Sequence, residues 1–538
     1  MGAAIKHDYH SHAHEAGVPG TVDLNVVDGE ESHYGQALFP VPSADPNDPL
    51  QWPSFKKNMI LACCAIYSFL GNSSLLGPSV YIGIFVEQFG VDPNTAAGLI
   101  NYPNLAYGFG SLLLVPMYQK FGRRPVMLGS LILYAAGLIG ASQCTTYSTL
   151  MGTRIIHAFG SGVCEALPAQ LVNDIFFLHE RGKKLGWYTA ALCLGATGPL
   201  YAGYMLAGGY SWTLFFYVEF AFAVALLIVS FFFVEESMYK RVAPPTLEAH
   251  SEGNSDVESK GNGTMHQLSN VETNMVVPPR KSLAQQLKPW SGIDPEAPFF
   301  STMWRAFTLL LVPQVLWVIT TYGIYIGLGA LTFNFIFPAK IVAPPYNWSE
   351  TNSGLIAVAT MIGYFLALPL LPASDRIAAR STLKNKGIRE AEMRLPVLLP
   401  AMIIAPAGLI LFGMAAEKGL HWIAYFIGVG MVQWSSYFYF TLTLAYAMDS
   451  HNSNLSEMLI IMNIGKQAIS FGLGLELLNW ILSTGYAKVI AGAFTAVLLL
   501  NNLVVLVFLA WGKKIRVLLA NTWLTRLHAR RVVAGESH

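Results

Sequence analysis

The side chains best suited to carry protons or bind a charged solute lie in one apolar stretch. Arg154 is followed by His157 after three residues, and Ser161 and Glu165 follow at two further intervals of four. On a helix these intervals place all four side chains on one face, with Arg154 and Glu165 about 16 Å apart along the axis. A charged face is costly in hydrocarbon, so this face must contact protein or water.

This stripe predicts a proton-coupling site made of Glu165, Arg154 and His157. Burial favours the protonated form of a carboxyl group, which suits a side chain that must exchange protons near neutral pH. Two readings of Glu165 stay open: a proton- or cation-binding acid, or a structural partner of Arg154 or of a neighbouring helix. His157 could instead form an ordinary structural hydrogen bond on the helix face. Glu219 and Glu476 are isolated acids in two other apolar segments, and we rank them lower.

The next helix carries glycines and a proline at short intervals, namely Gly195, Gly198, Pro199 and Gly203. Glycines let two helices approach closely and a proline bends a helix, so one group of helices could rock against another. Plain packing is the alternative, because glycine and proline are frequent in transmembrane helices. We interpret this helix and the charged one before it as the wall of a polar path through a membrane.

Aromatic side chains with polar ends and side-chain amides recur in several apolar segments, where they could line a cavity. This mixture suits amphipathic or cationic organic molecules, which bind through stacking and cation–π contacts. The alternative is an interfacial belt, and Lys466 could instead extend to the cytoplasmic interface. The residues that we expect to bind the solute are Asn72, Asn104, Tyr107, Gln314, Trp317, Tyr322, Gln433, Tyr437 and Lys466.

The composition indicates a membrane protein. Of the 538 residues, 53% are hydrophobic and only 12% are charged, whereas soluble domains average about 25% charged residues. The net charge is +1 and the basic residues are spread over short loops, so we expect no nucleic-acid partner. The five cysteines match no metal-ligand spacing, and we expect neither a metal nor a cofactor. The sequence has no phosphate-binding glycine loop of an ATP-driven pump and no nucleophile motif of an enzyme.

Apolar segments of about 17 to 32 residues, long enough to cross a ~30 Å hydrocarbon core, occur twelve times. We therefore predict an all-α membrane protein with twelve transmembrane helices in two six-helix bundles. The expected parts are a disordered cytoplasmic tail (1–55), an N-terminal bundle (56–234), a cytoplasmic linker (235–302), a C-terminal bundle (303–511) and a basic cytoplasmic tail (512–538). The predicted spans lie near 58–86, 96–117, 125–141, 150–177, 185–207, 213–234, 306–337, 353–371, 396–416, 422–448, 457–482 and 487–511.

Lysine and arginine in the short loops set the orientation. They cluster in the loops around 120–124, 181–184 and 376–394 and in the tail beyond 512. We therefore expect both termini and the central linker in the cytoplasm, which agrees with the even number of spans. The cell membrane is the expected location, and the vacuolar membrane is the alternative. Asn347 begins an Asn-x-Ser sequence in an outward loop, so we expect a glycan there.

The loop between the second and third spans resembles a signature of the major facilitator superfamily. Its end carries the glycine and the two arginines of that signature, whereas Val115 and Gln119 stand where the family has Gly and Asp. The missing aspartate removes one charge from the latch attributed to this loop, although a glutamine can still form hydrogen bonds. A shorter version recurs in the second half, as parallel repeats predict. The gating residues implied by this resemblance are Lys120, Gly122, Arg123, Arg124, Asp375 and Arg376.

Two further motifs resemble that family in the expected spans. Arg154 corresponds to an arginine of the fourth span that is associated there with proton coupling. The residues between 195 and 203 resemble a Gly-x-x-x-Gly-Pro pattern of the fifth span, which is found mostly in antiporters. This resemblance adds Gly195, Gly198, Pro199 and Gly203 to the expected gating residues.

A closer likeness is to the fungal twelve-span drug:proton antiporter group, nearest to its Hol-type branch of polyamine and cation transporters. Segments 43–53, 177–182 and 392–396 carry this likeness, which extends over about residues 43–511. It implies a carrier in the lipid bilayer that exchanges protons for a small organic solute (a drug, a secondary metabolite or a polyamine-like cation) by alternating access. We expect a monomer. Two alternatives stay open, a proton symporter or facilitator that imports a small nutrient and a non-transporting membrane sensor.

Overall fold

The computed structural model describes residues 14–15, 21–23, 45–239, 279–290, 292–295, 297, 299–370, 372–385, 388–450, 455–520 and 522. Most of the predicted N-terminal tail and large parts of the predicted linker and C-terminal tail lie outside these residues. The described part is overwhelmingly helical, and its long helices follow the order of the predicted spans.

Six long helical segments form the N-terminal half. Their starts follow local sequence: Asp92 caps α3 by accepting a hydrogen bond from the Thr95 amide at 3.0 Å, and Pro93 occupies the first helical position, where it loses no hydrogen bond. The helices are α1 (Ser54–Leu76) with α2 (Ile82–Phe89), α3 (Pro93–Phe121), α4 (Arg123–Ser142), α5 (Tyr147–Ser161) with α6 (Ala166–Ile175), α7 (Leu178–Gly195) with α8 (Gly198–Ala207), and α9 (Thr213–Phe233).

The C-terminal half repeats this arrangement after the short helix α10 (Leu283–Gln286) in the linker. π-helical turns interrupt its first and last segments, at Tyr325–Leu331 and Ala487–Phe494. A polar helix, α15 (Pro372–Lys384), separates its second and third segments. The membrane segments are α11 (Phe299–Thr308) with α12 (Pro313–Ile324) and α13 (Thr332–Val342), α14 (Ile356–Ala367), α16 (Leu399–Lys418), α17 (Ile423–Ser450), α18 (Leu455–Leu475) with α19 (Leu477–Thr484), and α20 (Thr495–Ala520).

Ten of the twelve segments combine the length and the hydropathy of a membrane span. The other two are α3 and α17, with 29 and 28 residues. At 1.5 Å per residue both are longer than the hydrocarbon core is thick. Their polarity comes from buried groups such as Asn101 in α3 and Gln433 in α17, which face protein rather than lipid.

Small residues set the close packing inside the N-terminal half. α4 and α5 cross where Gly137 faces His157 and Gly160 faces Tyr134. A Cβ atom at Gly137 would lie 2.4 Å from the His157 amide nitrogen, and one at Gly160 would lie 2.8 Å from that of Tyr134. Backbone contact this close requires glycine on each helix.

The two halves contact each other near both faces of the membrane. α3 packs along α18, and α8 packs against residues 350–355 that precede α14. Near one face the Asn101 side-chain amide donates to the Gly474 carbonyl oxygen at 2.9 Å. Near the opposite face the backbone amide of Asp294, in the segment that leads into the C-terminal half, donates to the Lys120 carbonyl oxygen at 2.8 Å. The inter-bundle region is therefore covered from both sides.

A small antiparallel sheet joins the N-terminal tail to the loop before α16. Strands β1 (His14–Glu15) and β2 (Thr21–Asp23) form a hairpin, and β2 pairs with β3 (Ile388–Glu390). The sequence predicted disorder for residues 1–55, so these strands differ from that expectation. Thr21 and Val22 are β-branched and favour extended backbone once a partner strand is present.

Candidate functional site

Glu165 lies at a break in the fourth membrane segment. A continuous helix was expected here, but α5 ends at Ser161 and α6 begins at Ala166. The turn between them packs against α3: a Cβ atom at Gly162 would lie 2.4 Å from the Tyr107 carbonyl oxygen. The break rotates Glu165 out of the line of the preceding helix, so the prediction of one common face is wrong for this residue.

The carboxylate of Glu165 forms an ion pair with the ammonium group of Lys466 on α18. The two side chains are 13% and 3% exposed, and the pair connects the N-terminal half to the C-terminal half. Each residue lies near the middle of its membrane segment. Lys466 therefore faces the inter-bundle region and does not extend to the cytoplasmic interface.

Tyrosines from three further helices surround this pair. The Tyr107 hydroxyl on α3 donates to Glu165 Oε1 at 3.0 Å, and the Tyr188 hydroxyl on α7 donates to the Glu165 carbonyl oxygen at 2.9 Å. The ring of Tyr322 on α12 lies 5.4 Å from the Lys466 nitrogen, within the range of a cation–π contact. Tyr188 was not predicted, because nothing in the sequence distinguishes it from the other aromatic residues of the apolar segments.

Two further predicted solute-binding residues lie on α17. Gln433 Oε1 accepts hydrogen bonds from the Tyr364 hydroxyl at 2.8 Å and from Ser436 Oγ at 3.1 Å. The Tyr437 hydroxyl reaches the Gly186 carbonyl oxygen on α7, at 3.5 Å. Tyr437 thus provides a further polar contact between the two halves.

The remaining predicted solute-binding residues do not contact the pair of Glu165 and Lys466 directly. Asn72 donates to the Leu192 carbonyl oxygen at 2.9 Å, and Asn104 is buried on α3. Trp317 donates to the Asn501 carbonyl oxygen at 3.3 Å, which directs it towards α20 inside the C-terminal half. Gln314 is fully buried at the start of α12.

Arg154 is enclosed within the N-terminal half. Its side chain is fully buried and donates to the carbonyl oxygens of Leu99, Leu75 and Ser74 at 2.5, 2.9 and 3.3 Å. The ring of Phe216 on α9 lies 5.7 Å from its guanidinium carbon. The alternative in which Arg154 pairs with Glu165 does not agree with this geometry.

His157 lies one turn after Arg154 and is also fully buried. Its ring meets the ring of Tyr134 edge to face, with the centroids 6.0 Å apart. Within the described part of the chain, neither ring nitrogen has a hydrogen-bond partner. The structure therefore places His157 beside Arg154 in the N-terminal half and not beside Glu165.

Glu219, which the sequence analysis ranked low, is held in a polar cluster. It is 1% exposed on α9 and accepts hydrogen bonds from Ser73 Oγ at 2.7 Å, from the Tyr134 hydroxyl at 3.3 Å and from the Tyr201 hydroxyl. The available sequence signal was a single acid within 21 otherwise apolar or small residues. An acid inside a membrane span costs free energy, and for that reason it usually marks a functional site.

The glycine-rich segment brings α7 and α8 against their neighbours. The helix is interrupted between Gly195 and Gly198, and a Cβ atom at Gly198 would lie 2.6 Å from the Ser73 carbonyl oxygen on α1. Further along, a Cβ atom at Gly203 would lie 3.2 Å from Gly354 Cα in the opposite half. Pro199 is at the start of α8, as its ring geometry favours.

The predicted gating loop after α3 is anchored by acids of the N-terminal half. Gly122 has φ +101°, and the amides of Arg123 and Arg124 donate to Glu236 at 3.0 and 3.1 Å. Arg123 Nε also contacts Asp174 Oδ2 at 3.1 Å. A carboxylate at the start of α4 is favoured by the helix dipole as well as by these bonds.

Two other residues of that loop contact the segment that leads into the C-terminal half. The Lys120 carbonyl oxygen accepts the bond from Asp294 described above, and Gln119 Oε1 accepts a bond from Thr302 Oγ1 on α11 at 3.4 Å. Gln119 thus replaces the charge of the family signature with a neutral hydrogen bond.

The second half anchors its corresponding loop with two sets of ion pairs. Arg516 of α20 binds Glu390 and Glu392 at 2.6 Å each, and Arg394 contacts Asp449 at 3.2 Å. In the first set the acids belong to the loop and the arginine to the last helix, whereas the pair of Arg394 and Asp449 repeats the arrangement of Arg123 and Asp174 in the N-terminal half.

The expected second copy of the signature, Asp375 and Arg376, lies outside the segments that carry these ion pairs. Asp375 and Arg376 lie in α15, where Arg376 is exposed and the side chain of Asp375 is outside the described part.

Comparisons with known proteins point to one family. Residues 61–475 match the family model described as Major Facilitator Superfamily. Protein HOL1 of Saccharomyces cerevisiae is 24% identical over 545 residues, covering 89% of this chain and 92% of the yeast protein. Efflux pump FUB11 of Gibberella fujikuroi is 25% identical over 387 residues, covering 71% of this chain and 63% of that protein.

Among solved structures, the xylose transporter XylE from E. coli, in a partially occluded inward-open conformation, has the same fold. The TM-score is 0.56 at 13% identity, and the match covers 84% of this chain and 99% of XylE. At this sequence identity the match shows a shared fold and nothing about function.

Proposed function

Because the chain belongs to the major facilitator superfamily, we propose that it exports a small organic solute in exchange for protons by alternating access. Membership confirms the predicted family, the all-helical multi-pass membrane fold and the class of protein, a transporter and not an enzyme. The direction of transport, the proton coupling and the solute are the proposed part.

The observation that carries the proposal is the ion pair of Glu165 with Lys466 between the two halves. A buried ion pair is stable only while both charges are present, because an unpaired charge in this setting costs several kcal/mol. Protonation of Glu165 removes one charge, so the contact between α18 and the turn after α5 weakens. Proton binding can thereby change how the two halves meet.

Exchange of protons for solute follows if both compete for the same carboxylate, that of Glu165. Glu165 can be neutralised by the Lys466 ammonium, by a proton or by a cationic solute, and each excludes the others. A proton that arrives from the outside therefore releases a cation bound at Glu165, and the cation bound from the inside releases the proton. This order of events predicts antiport. The name of the relative FUB11, an efflux pump, agrees with that direction.

The surroundings favour an amphipathic or aromatic cation. Tyr107, Tyr188 and Tyr322 surround the charged pair with aromatic surface and hydroxyl groups. Such surfaces bind organic cations through cation–π contact and hydrogen bonds. We therefore propose a polyamine-like cation, a drug or a secondary metabolite as the solute class.

Proton symport is the second candidate, because one carboxylate could also bind a proton together with a neutral solute. XylE, which shares the fold, is a xylose transporter, but its low identity supports the fold alone. The two candidates differ in the sign of the proton gradient that accumulates solute.

We further propose that the chain acts as a monomer in the cell membrane, with both termini in the cytoplasm and a glycan on Asn347. Asn347 is exposed in the turn before residues 350–355, with φ +51°. This turn belongs to the outer side in the proposed orientation.

Transport in proteoliposomes with an imposed pH gradient tests the proposal, with spermidine as a polyamine probe and tetraphenylphosphonium as an aromatic cation. Antiport predicts that vesicles with an acidic interior accumulate a probe, and that reversal of the gradient abolishes accumulation. Accumulation only with an acidic exterior would identify symport. Flux that is independent of the gradient would exclude proton coupling for both probes.

A further inference from the structure

A second buried acid lies in the N-terminal half, apart from the pair of Glu165 and Lys466. Glu219 lies about two turns after the start of α9, is 1% exposed and forms no ion pair with any residue that the structure describes. Its hydrogen-bond partners come from three helices: Ser73 of α1, Tyr134 of α4 and Tyr201 of α8.

The hydrogen bonds around Glu219 need more protons than the hydroxyl groups can supply. Ser73 and Tyr201 each contact Glu219 Oε1 and also contact each other. The Tyr134 hydroxyl contacts both Glu219 Oε2, at 3.3 Å, and the Leu70 carbonyl oxygen, at 2.9 Å. These five contacts each require one proton, whereas the three hydroxyl groups carry only three.

A proton on Glu219 improves this balance. When Oε2 is protonated it donates to the Tyr134 hydroxyl, and Tyr134 is then free to donate its own proton to the nearer Leu70 carbonyl oxygen. Four protons then serve the five contacts, and no charge is left buried without a counterion. The geometry therefore accommodates the neutral carboxyl group better than the carboxylate.

The other titratable groups near this cluster form no ion pair with Glu219 within the described part of the chain. Arg154, on α5, donates hydrogen bonds to three carbonyl oxygens. The ring of His157 contacts the ring of Tyr134, which belongs to the cluster. The ring of Tyr67, on α1, also meets that of Tyr134, at 6.1 Å between centroids. A positive charge on Arg154 or His157 would favour the carboxylate of Glu219, so the proton on Glu219 can be lost when the cluster rearranges.

We propose that Glu219 is a second proton-binding site, and that its protonation is transmitted to the contact between the two halves through Tyr201. This inference rests on the proposed function, since it assigns a second acid to the same proton-coupled cycle. The step is a proton transfer alone: the carboxylate gains one proton from water that reaches the cluster and returns it when the carboxylate re-forms.

Tyr201 provides the connection because it is on the short helix α8. The same helix packs against residues 350–355 of the C-terminal half, where a Cβ atom at Gly354 would lie 2.2 Å from the Pro199 carbonyl oxygen. A carboxylate binds the Tyr201 hydroxyl more strongly than a neutral carboxyl does. Loss of the proton from Glu219 therefore draws Tyr201 towards α9, and gain of the proton allows α8 to move with the opposite half.

Infrared difference spectroscopy of the full chain in liposomes tests the proton site without any solute. The wild type should show the carbonyl band of a protonated carboxyl group that disappears reversibly as the pH is raised. Glu219→Gln should lose part of this band, and Glu476→Gln, the control at an exposed acid after α18, should retain that part. A band of wild-type amplitude in Glu219→Gln, or a wild type without a titrating band, would overturn the proposal.

Tyr201→Phe serves as a second variant should Glu219→Gln not fold. It removes one donor to the carboxylate and keeps the ring, so the midpoint of the band should move to higher pH. An unchanged midpoint would overturn the role of Tyr201. These readouts are separate from gradient-driven flux, so a wild type with the band but without such flux would overturn the proposed function and leave the proton site standing.

Discussion

The ion pair of Glu165 with Lys466 joins the turn between α5 and α6 to the middle of α18, and so joins the two halves of the chain inside the membrane. Both side chains are almost fully removed from solvent, and tyrosines of α3, α7 and α12 surround them. An ion pair in this position stabilises the covered arrangement only while it is intact. The following predictions concern this pair and the contacts that cover it.

Removal of Lys466 should destabilise the protein. Lys466→Gln leaves Glu165 buried without its counterion, and such a loss costs about 3 to 5 kcal/mol. We expect a lower midpoint of thermal unfolding in detergent, and the double variant Glu165→Gln with Lys466→Gln should recover much of it. Lys488→Gln, at an exposed position of the last membrane segment, is the control and should change little. Equal midpoints for Lys466→Gln and the wild type would contradict the ion pair.

Gly122→Ala should impair the cytoplasmic loop. Its backbone has φ +101°, and a Cβ atom would lie 2.3 Å from Glu236 Oε2. The substitution therefore displaces the carboxylate from the amides of Arg123 and Arg124, at a cost of about 1 to 3 kcal/mol for the strained backbone alone. Transport rate and thermal midpoint should both fall. Gly129→Ala, on α4 with open space around the glycine, should leave both unchanged; similar losses in the two variants would refute the explanation.

Gly354→Ala should favour conformations in which the outer face is open. The added Cβ atom would lie 2.2 Å from the Pro199 carbonyl oxygen, so α8 and residues 350–355 must separate. The measurement is the rate at which an impermeant thiol reagent modifies a cysteine placed at the buried Ile100, in a chain without its native cysteines. We expect a several-fold faster reaction, and no change for Gly83→Ala, which has open space. A slower or unchanged rate for Gly354→Ala would count against this contact.

Glycosylation tests the orientation. In a eukaryotic host Asn347 should carry a glycan, because it is exposed in a loop that the charge distribution places outside. Asn347→Gln should remove the mobility shift that a glycosidase abolishes in the wild type. The sequon at Asn454, on the cytoplasmic side in the same orientation, should stay unmodified and serves as the internal control. A glycan on Asn454 instead would invert the topology.

The fold was predictable from the sequence because hydropathy and loop charge are local properties. Apolar length placed twelve spans, and it did so even for α3, whose buried amides lower its hydropathy. The partner of Glu165 was not predictable, because Lys466 lies 301 residues away and only tertiary packing brings the two together. Helical periodicity also failed at Glu165, since contacts of Gly162 with α3 interrupt the helix there.

The polar clusters inside each half also could not be predicted from the sequence. In the sequence Glu219 is only an isolated acid. Its hydrogen bonds come from hydroxyl groups on three other helices, and only the structure shows them. By analogy with the first half, the sequence predicts that Asp375 and Arg376 hold the corresponding loop of the second half. The structure shows an anchor of Glu390, Glu392 and Arg516, whose partners are more than 120 residues apart and could not be paired from the sequence.

The central claim is that Glu165 couples proton movement to solute movement, and paired assays of Glu165→Gln in proteoliposomes test it most directly. One assay measures accumulation of a probe driven by an acidic interior, and the other measures exchange of labelled for unlabelled probe with no gradient. The account predicts that Glu165→Gln loses gradient-driven accumulation and also exchanges the cationic probe poorly, because an amide binds neither the proton nor the cation. Glu476→Gln, an exposed acid after α18, should behave as the wild type in both assays. Accumulation by Glu165→Gln at the wild-type level would contradict the account.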